Sequence, residues 1–155
     1  MNIRKASIID IDILIKLRLD FLVAVDNLTA DEEPLIRSQL TTYYTKHINN
    51  DFIAILAETV DNVVSTAFLV ISERPASRAL ISGKTGTLIN VLTYPKYRRN
   101  GFATKVICQI IDEAKQLGVS WIDLSATQEG KPLYEKLGFI ELKSKSNQMK
   151  LQLFG

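Results

Sequence analysis

Apolar and polar positions alternate in two rhythms along this chain, and the changes of rhythm mark its elements. Ile11, Ile13, Ile15, Leu17, Leu19 and Phe21 alternate with mostly polar neighbours, which is a strand period. The same stretch carries Ile11, Leu14, Ile15, Leu22 and Val25 at helical spacing, with Asp10 in position to cap a helix. A strand that long would exceed the usual ~5–6 residues, yet periodicity alone leaves both readings open. Asp31 to Asn49 opens with acids and ends in Lys46 and His47, the order that suits a helix dipole, and Pro34 fits only in a first turn. FIAILAET and VVSTAFLVI flank Asp61-Asn62 and predict a hairpin with a tight turn. SERPASR is a polar loop, and TGTLINVLT is a strand that Pro95 stops.

The clearest helix runs from Ala103 to Leu117. Ala103, Val106, Ile107, Ile110, Ile111, Ala114 and Leu117 form one stripe, and Gly118 stands where a left-handed cap belongs. WIDLS predicts a short strand, and GKPLYEKLGF a short helix stopped by Gly138. FIEL and MKLQLF predict two closing strands, a hairpin around Ser144 to Asn147. The order implies a mixed α/β fold with at least one parallel crossover.

The chain has 155 residues with no repeat or linker, so residues 1–155 are expected to form one domain. A net charge of +2 gives no global field for nucleic acid or membrane, so anion binding has to come from local clustering. Cys108 is the single cysteine, which excludes an internal disulfide and a cysteine zinc site. No His/Asp/Glu cluster has ligand spacing, and no metal is expected. No apolar run approaches the ~18 residues of a membrane span, and MNIRKASIID lacks the apolar core of a signal peptide. A cytoplasmic protein is the expectation.

Chemistry concentrates in YRRNGFATK, Tyr97 to Lys105. A helix that follows a strand aims its free N–H groups out of the connecting turn, and these donors attract anions together with the dipole. Gly101 lets the backbone approach a ligand, Ala103 leaves its own N–H reachable, and Arg98, Arg99 and Lys105 add charge. A basic corner between strand and helix is the plainer alternative. The nucleotide loop pattern Gly-x-x-x-x-Gly-Lys-Ser/Thr is absent.

The run Arg98-Arg99-Asn100-Gly101-Phe102-Ala103 resembles the Gln/Arg-x-x-Gly-x-Gly/Ala signature of the GCN5-related N-acetyltransferases, placed after a strand and opening a long helix. PLYEKLGF, Pro132 to Phe139, resembles that family's late motif, and NIRKASIIDIDILIKL its first strand and helix. The resemblance decides the first segment in favour of a helix. It implies a three-layer α/β/α fold whose mostly antiparallel central sheet has one parallel crossover, through the helix at 103–117.

The resemblance also implies roles. The turn would bind the pyrophosphate of acetyl-CoA through Arg98, Arg99, Asn100, Gly101, Phe102, Ala103 and Thr104, with backbone N–H groups from Arg99 to Thr104 doing most of the holding. Val91, Leu92 and Thr93 would pair with the pantetheine arm and offer N–H groups to the oxyanion. Tyr134 would protonate the departing thiolate, since a phenol of pKa about 10 is protonated at neutral pH; its plainer reading is a packed ring. For the base, Asn90 is chemically unable, and Asp123, Ser125, Glu129 or a water chain stay open. Cys108 and Trp121 are expected in the core, and His47 as a helix-end complement.

The expected activity is acetyl transfer from acetyl-CoA to an amine of a small molecule or peptide, by direct attack in a ternary complex. The alternative is a sensor that binds acetyl-CoA without turnover. Asp20, Asp26, Asp31, Glu32 and Glu33 lie where the family builds its acceptor site and would favour a cationic amine, although a solvated helix start is the preferred reading. Neither nucleic acid nor membrane is an expected partner. A homodimer through the MKLQLF edge is the oligomer the resemblance allows.

Overall fold

Phe52–Glu58 (β2) is apolar at every position but its last, and Val63–Glu73 (β3) is buried without a break from Val64 to Leu69, so these strands need cover on both faces. They pair antiparallel as the hairpin expected, closed by a turn in which the Thr59 N–H donates to the Asn62 carbonyl at 2.8 Å. Asn2–Lys5 (β1) adds to one edge of the pair, and Lys84–Thr93 (β4) to the other. Ile122–Asp123 (β5) then joins β4 in parallel, giving the order β1-β2-β3-β4-β5. The computed structural model describes Met1–Gly155 in full, as two units, Met1–Ser125 and Ala126–Gly155.

In the first unit, helices cover both faces of the sheet. Ile11–Asp26 (α1) and Glu33–His47 (α2) bury Leu14, Leu17, Leu40 and Tyr44 against Phe52, Ala54, Leu56 and Phe68. Phe102–Gln116 (α3) packs on β2, β3 and β4 with Val106, Ile107, Ile110 and Ala114. By alternation, Ile53 and Ile55 of β2 point away from the α1/α2 side and towards α3. This is the three-layer arrangement with the parallel β4–α3–β5 crossover. Pro34 lies in the first turn of α2, and Gly118 has φ +73 just beyond α3, both as the residue types require.

Asp10 precedes α1, but its carboxylate does not cap that helix. It accepts two hydrogen bonds from the Arg4 guanidinium, each 2.9 Å, and one from the Ser7 N–H at 2.8 Å. Arg4 holds the Asp10 carboxyl below its usual pKa. A depressed carboxylate stabilises the fold above its unfolded pKa, and that contribution is lost as pH falls through the folded value. Asp10→Asn is expected to cost about 2 kcal/mol at pH 7, less than a fully buried pair because the Arg4 side chain is 34% exposed. Urea midpoints at pH 7 and pH 3 check this: the variant should lose less on acidification than the wild type.

The second unit contains Lys131–Lys136 (α4), which ends at Gly138 with φ +97 as expected. The two closing strands are not formed. Phe139 to Gly155 carries no strand, and the bend at Ser144 is made by its hydroxyl, which donates to the Ser146 carbonyl at 2.9 Å. Alternation in FIEL and MKLQLF gives each segment an apolar face, but a ladder also needs a partner, and an isolated hairpin is marginal in water. Two core expectations are also corrected. Cys108 is exposed, because it falls one residue past Ile107 and off the buried stripe of α3. Trp121 is 43% exposed, because β5 is a two-residue edge strand.

Candidate functional site

Between β4 and α3 the chain turns through two left-handed residues, Arg99 at φ +66 and Gly101 at φ +76. The Asn100 side chain donates to the carbonyls of Tyr97 and Arg98, and Arg98 Nε donates to the Thr93 carbonyl at 3.1 Å. These bonds use carbonyls of the turn and none of its backbone N–H groups. The first helical donor is Lys105, bonded to the Gly101 carbonyl at 3.2 Å. The six consecutive N–H groups from Arg99 to Thr104 have no acceptor in the protein. Arg98, Arg99 and Lys105 are exposed and form no ion pair, so nothing in the chain neutralises them. Unused N–H groups, the N-terminus of a fifteen-residue helix and three free cations are together the chemistry that suits an anion.

The strand leading into this turn is distorted. Thr66 pairs with Leu92, while Phe68 pairs with Ile89, so β4 carries one extra residue opposite Ala67. Asn90 takes up the excess at φ +56, a left-handed conformation that Asn tolerates better than most residues. Its side chain is buried on the α1 side. Asn90 Nδ2 donates to the Leu17 carbonyl at 3.4 Å, and Asn90 Oδ1 accepts from Arg18 Nη1 at 3.2 Å. The other neighbour of β4 is short. β5 pairs only at Gly86 and Thr87, so beyond Thr87 the outer edge of β4 has no strand beside it. Val91, Leu92 and Thr93 lie on that part.

The Thr87 hydroxyl closes the end of the β4–β5 ladder by donating to Asp123 Oδ1 at 2.7 Å. Of the candidate bases, Asp123 is therefore fixed beside β4. Ser125 lies beyond the end of β5 and is exposed, and Glu129 belongs to the second unit, exposed ahead of α4. Tyr134 is on α4, where its ring meets Phe139 edge-on with centroids 5.8 Å apart. Its hydroxyl has no partner, and burial raises its pKa. No set of three His, Cys, Asp or Glu side chains is grouped to hold a metal ion.

Most acids named as acceptor-side candidates are already engaged. Asp20 bonds Lys16 at 2.7 Å and the Tyr94 hydroxyl at 2.5 Å, Glu32 accepts from the Thr29 N–H and hydroxyl, and Glu33 pairs with Arg37. Asp26 and Asp31 are exposed and unpaired. His47 ends α2 and lies 2.6 Å from Asp51 Oδ1. The sequence reading missed Arg18 and the Asn90 bulge. The signals were an arginine inside the apolar stripe Leu14, Ile15, Leu22 and an asparagine, a poor strand former, within LINVL.

The family model described as Acetyltransferase (GNAT) family matches residues 22–139, well over half of the chain. The chain belongs to the GNAT acetyltransferase family. Solved structures agree with a GNAT fold over nearly its full length. A predicted acetyltransferase from Clostridium acetobutylicum, crystallised with acetyl-CoA, is 28% identical, with a TM-score of 0.83 over 96% of this chain and 95% of that one. A GCN5-related N-acetyltransferase from Ralstonia eutropha JMP134 is 18% identical, with a TM-score of 0.77 over 96% and 97%. The glucosamine-6-phosphate N-acetyltransferase of Arabidopsis thaliana is 25% identical, with a TM-score of 0.65 over 97% of each chain. No curated protein matches. The GNAT match contains both the Arg98–Ala103 turn and PLYEKLGF, and its first residue, Leu22, lies within α1. No helix is long and apolar enough to cross a membrane.

Proposed function

We propose that this chain is an N-acetyltransferase that moves an acetyl group from acetyl-CoA to the amine of a small molecule or peptide. The observation that carries the reading is the run of six unpartnered N–H groups from Arg99 to Thr104 at the start of α3. Their number and the three free cations around them fit a pyrophosphate. Acetyl-CoA would supply an acetyl group activated as a thioester.

The rest is the work of this chain. N–H groups from Arg99 to Thr104 hold the diphosphate, with Arg98, Arg99 and Lys105 adding charge. The outer edge of β4 from Val91 to Thr93 offers backbone groups to an extended amide-bearing arm, in the manner of an added strand. An N–H from the same three residues donates to the carbonyl oxygen as negative charge builds on it. The bulge at Asn90 sets the direction of those groups. The Tyr134 hydroxyl, held protonated by burial, gives its proton to the departing sulfur. Asp123, or water it orders, takes the proton of the attacking amine.

Direct attack requires both substrates bound together. Initial rates against acetyl-CoA at several amine concentrations should give intersecting lines, and Cys108→Ser should leave kcat within about twofold. Parallel lines, or loss of activity in Cys108→Ser, would replace this reading with a covalent acetyl-enzyme route. Acetyl-CoA binding without turnover on a broad amine panel would favour a sensor instead.

A further inference from the structure

Arg18 lies on the buried side of α1, one turn from Leu14 and one turn from Leu22, both buried. A charge in that position is costly unless it is paired. Every other cation on β1, α1 and the first three turns of α2 has a carboxylate: Arg4 has Asp10 and Glu58, Lys5 has Glu113, Lys16 has Asp20, and Arg37 has Glu33. Arg18 has none. Its one hydrogen bond goes to a neutral acceptor, Asn90 Oδ1, out of the five N–H groups a guanidinium carries. Phe21 flanks it at 5.9 Å, and its charge acts on the buried Tyr44 phenol. Asn90 cannot reorient to satisfy more of the fork, because its Nδ2 is committed to the Leu17 carbonyl.

The position matters as much as the missing partner. Asn90 is the bulge residue, and Val91 follows it directly. The unpaired guanidinium therefore stands beside the point on β4 where the proposed transfer takes place. We propose that Arg18 selects the acceptor, by binding an anionic group, carboxylate or phosphate, carried on the same molecule as the amine that receives the acetyl group. This rests on the transferase reading above. It also departs from the cationic-amine expectation, whose acids Asp20 and Glu33 already carry a cation each, Lys16 and Arg37. A planar fork of N–H donors suits either anion, and a lysine would serve it less well.

The test uses 15N-labelled protein saturated with CoA, which keeps the α3 turn out of the readout. Inorganic phosphate and acetate are titrated separately while the Asn90 side-chain amide is followed. The wild type should show saturable shifts with at least one anion. Half-saturation should weaken at least ~10-fold in Arg18→Met and ~2–5-fold in Arg18→Lys, which carries the comparison if the methionine variant does not fold. A response to phosphate alone assigns a phosphorylated amine, and one to acetate alone an amino acid or similar carboxylate. Shifts that never saturate, or that are the same in the variants, overturn the proposal. Failure of the wild type to bind CoA would instead sink the transferase reading, and the Asn90 titration would still report on Arg18 in the free protein. In turnover, Arg18→Met should raise KM for the anionic amine and leave KM for acetyl-CoA unchanged.

Discussion

Gly101→Glu is expected to abolish acetyl-CoA binding, weakening it at least ~100-fold, or about 3 kcal/mol. A Cβ at Gly101 would meet nothing within 4 Å, so the protein itself has room for the side chain. The fold cost is confined to forcing a residue other than glycine to φ +76, about 1–2 kcal/mol. What the glutamate does is place an anion and its bulk among the N–H groups that would hold the diphosphate. Gly101→Ala separates the two effects, since it carries the backbone strain without the charge and should lose less than ~10-fold. Calorimetric titration of the three proteins reads this directly. Equal affinity in the wild type and in Gly101→Glu would remove the turn from the coenzyme site.

Tyr134→Phe is expected to lower kcat by ~10²-fold or more while the acetyl-CoA dissociation constant stays within about twofold. The substitution removes only a hydroxyl. That hydroxyl has no hydrogen-bond partner, and the ring's edge contact with Phe139 survives in phenylalanine. Stability should therefore change by less than about 0.5 kcal/mol. A loss of rate with intact binding and intact folding isolates proton donation. Burial raises the phenol's pKa, so the acid stays protonated throughout the neutral range, and its contribution to kcat fades only as pH climbs through that raised value. Unchanged kcat in Tyr134→Phe would assign the proton to another donor.

Where one residue pattern allowed one conformation, the fold was legible in advance. The stripe from Val106 to Ala114, Pro34 at a helix start, and Gly118 and Gly138 at helix ends all lie as their chemistry requires. Ile11 to Phe21 was different, because leucines and isoleucines at both spacings let a helix look like a strand. The helix buries Leu14, Ile15, Leu17, Leu19 and Leu22, a face broad enough to satisfy both periods. The closing strands failed for the opposite reason: alternation identifies an apolar face but carries no information about a hydrogen-bonded partner. Cys108 and Trp121 lie outside the core because apolar character alone does not bury a side chain: helix phase and a short edge strand leave both exposed.

The candidate site divides in the same way. The left-handed turn and its free donors could be read from Gly101 and the helix that follows it, since a local sequence determines both. The bulge could not, since it arises only when β3 and β4 are paired and one residue is found in excess at Asn90. Arg18 gains its meaning from that pairing too: in the sequence it is a charge within an apolar stripe, and in the structure it is a cation without a carboxylate, bonded to the bulge.

The most direct test of the proposed coenzyme site is the backbone amide spectrum of the 15N-labelled protein during an acetyl-CoA titration. Saturable shifts are expected, largest at Arg99, Asn100, Gly101, Phe102, Ala103 and Thr104, with a second group at Val91 to Thr93. Saturable binding that leaves those six amides unmoved would contradict it, as would no binding by the folded protein.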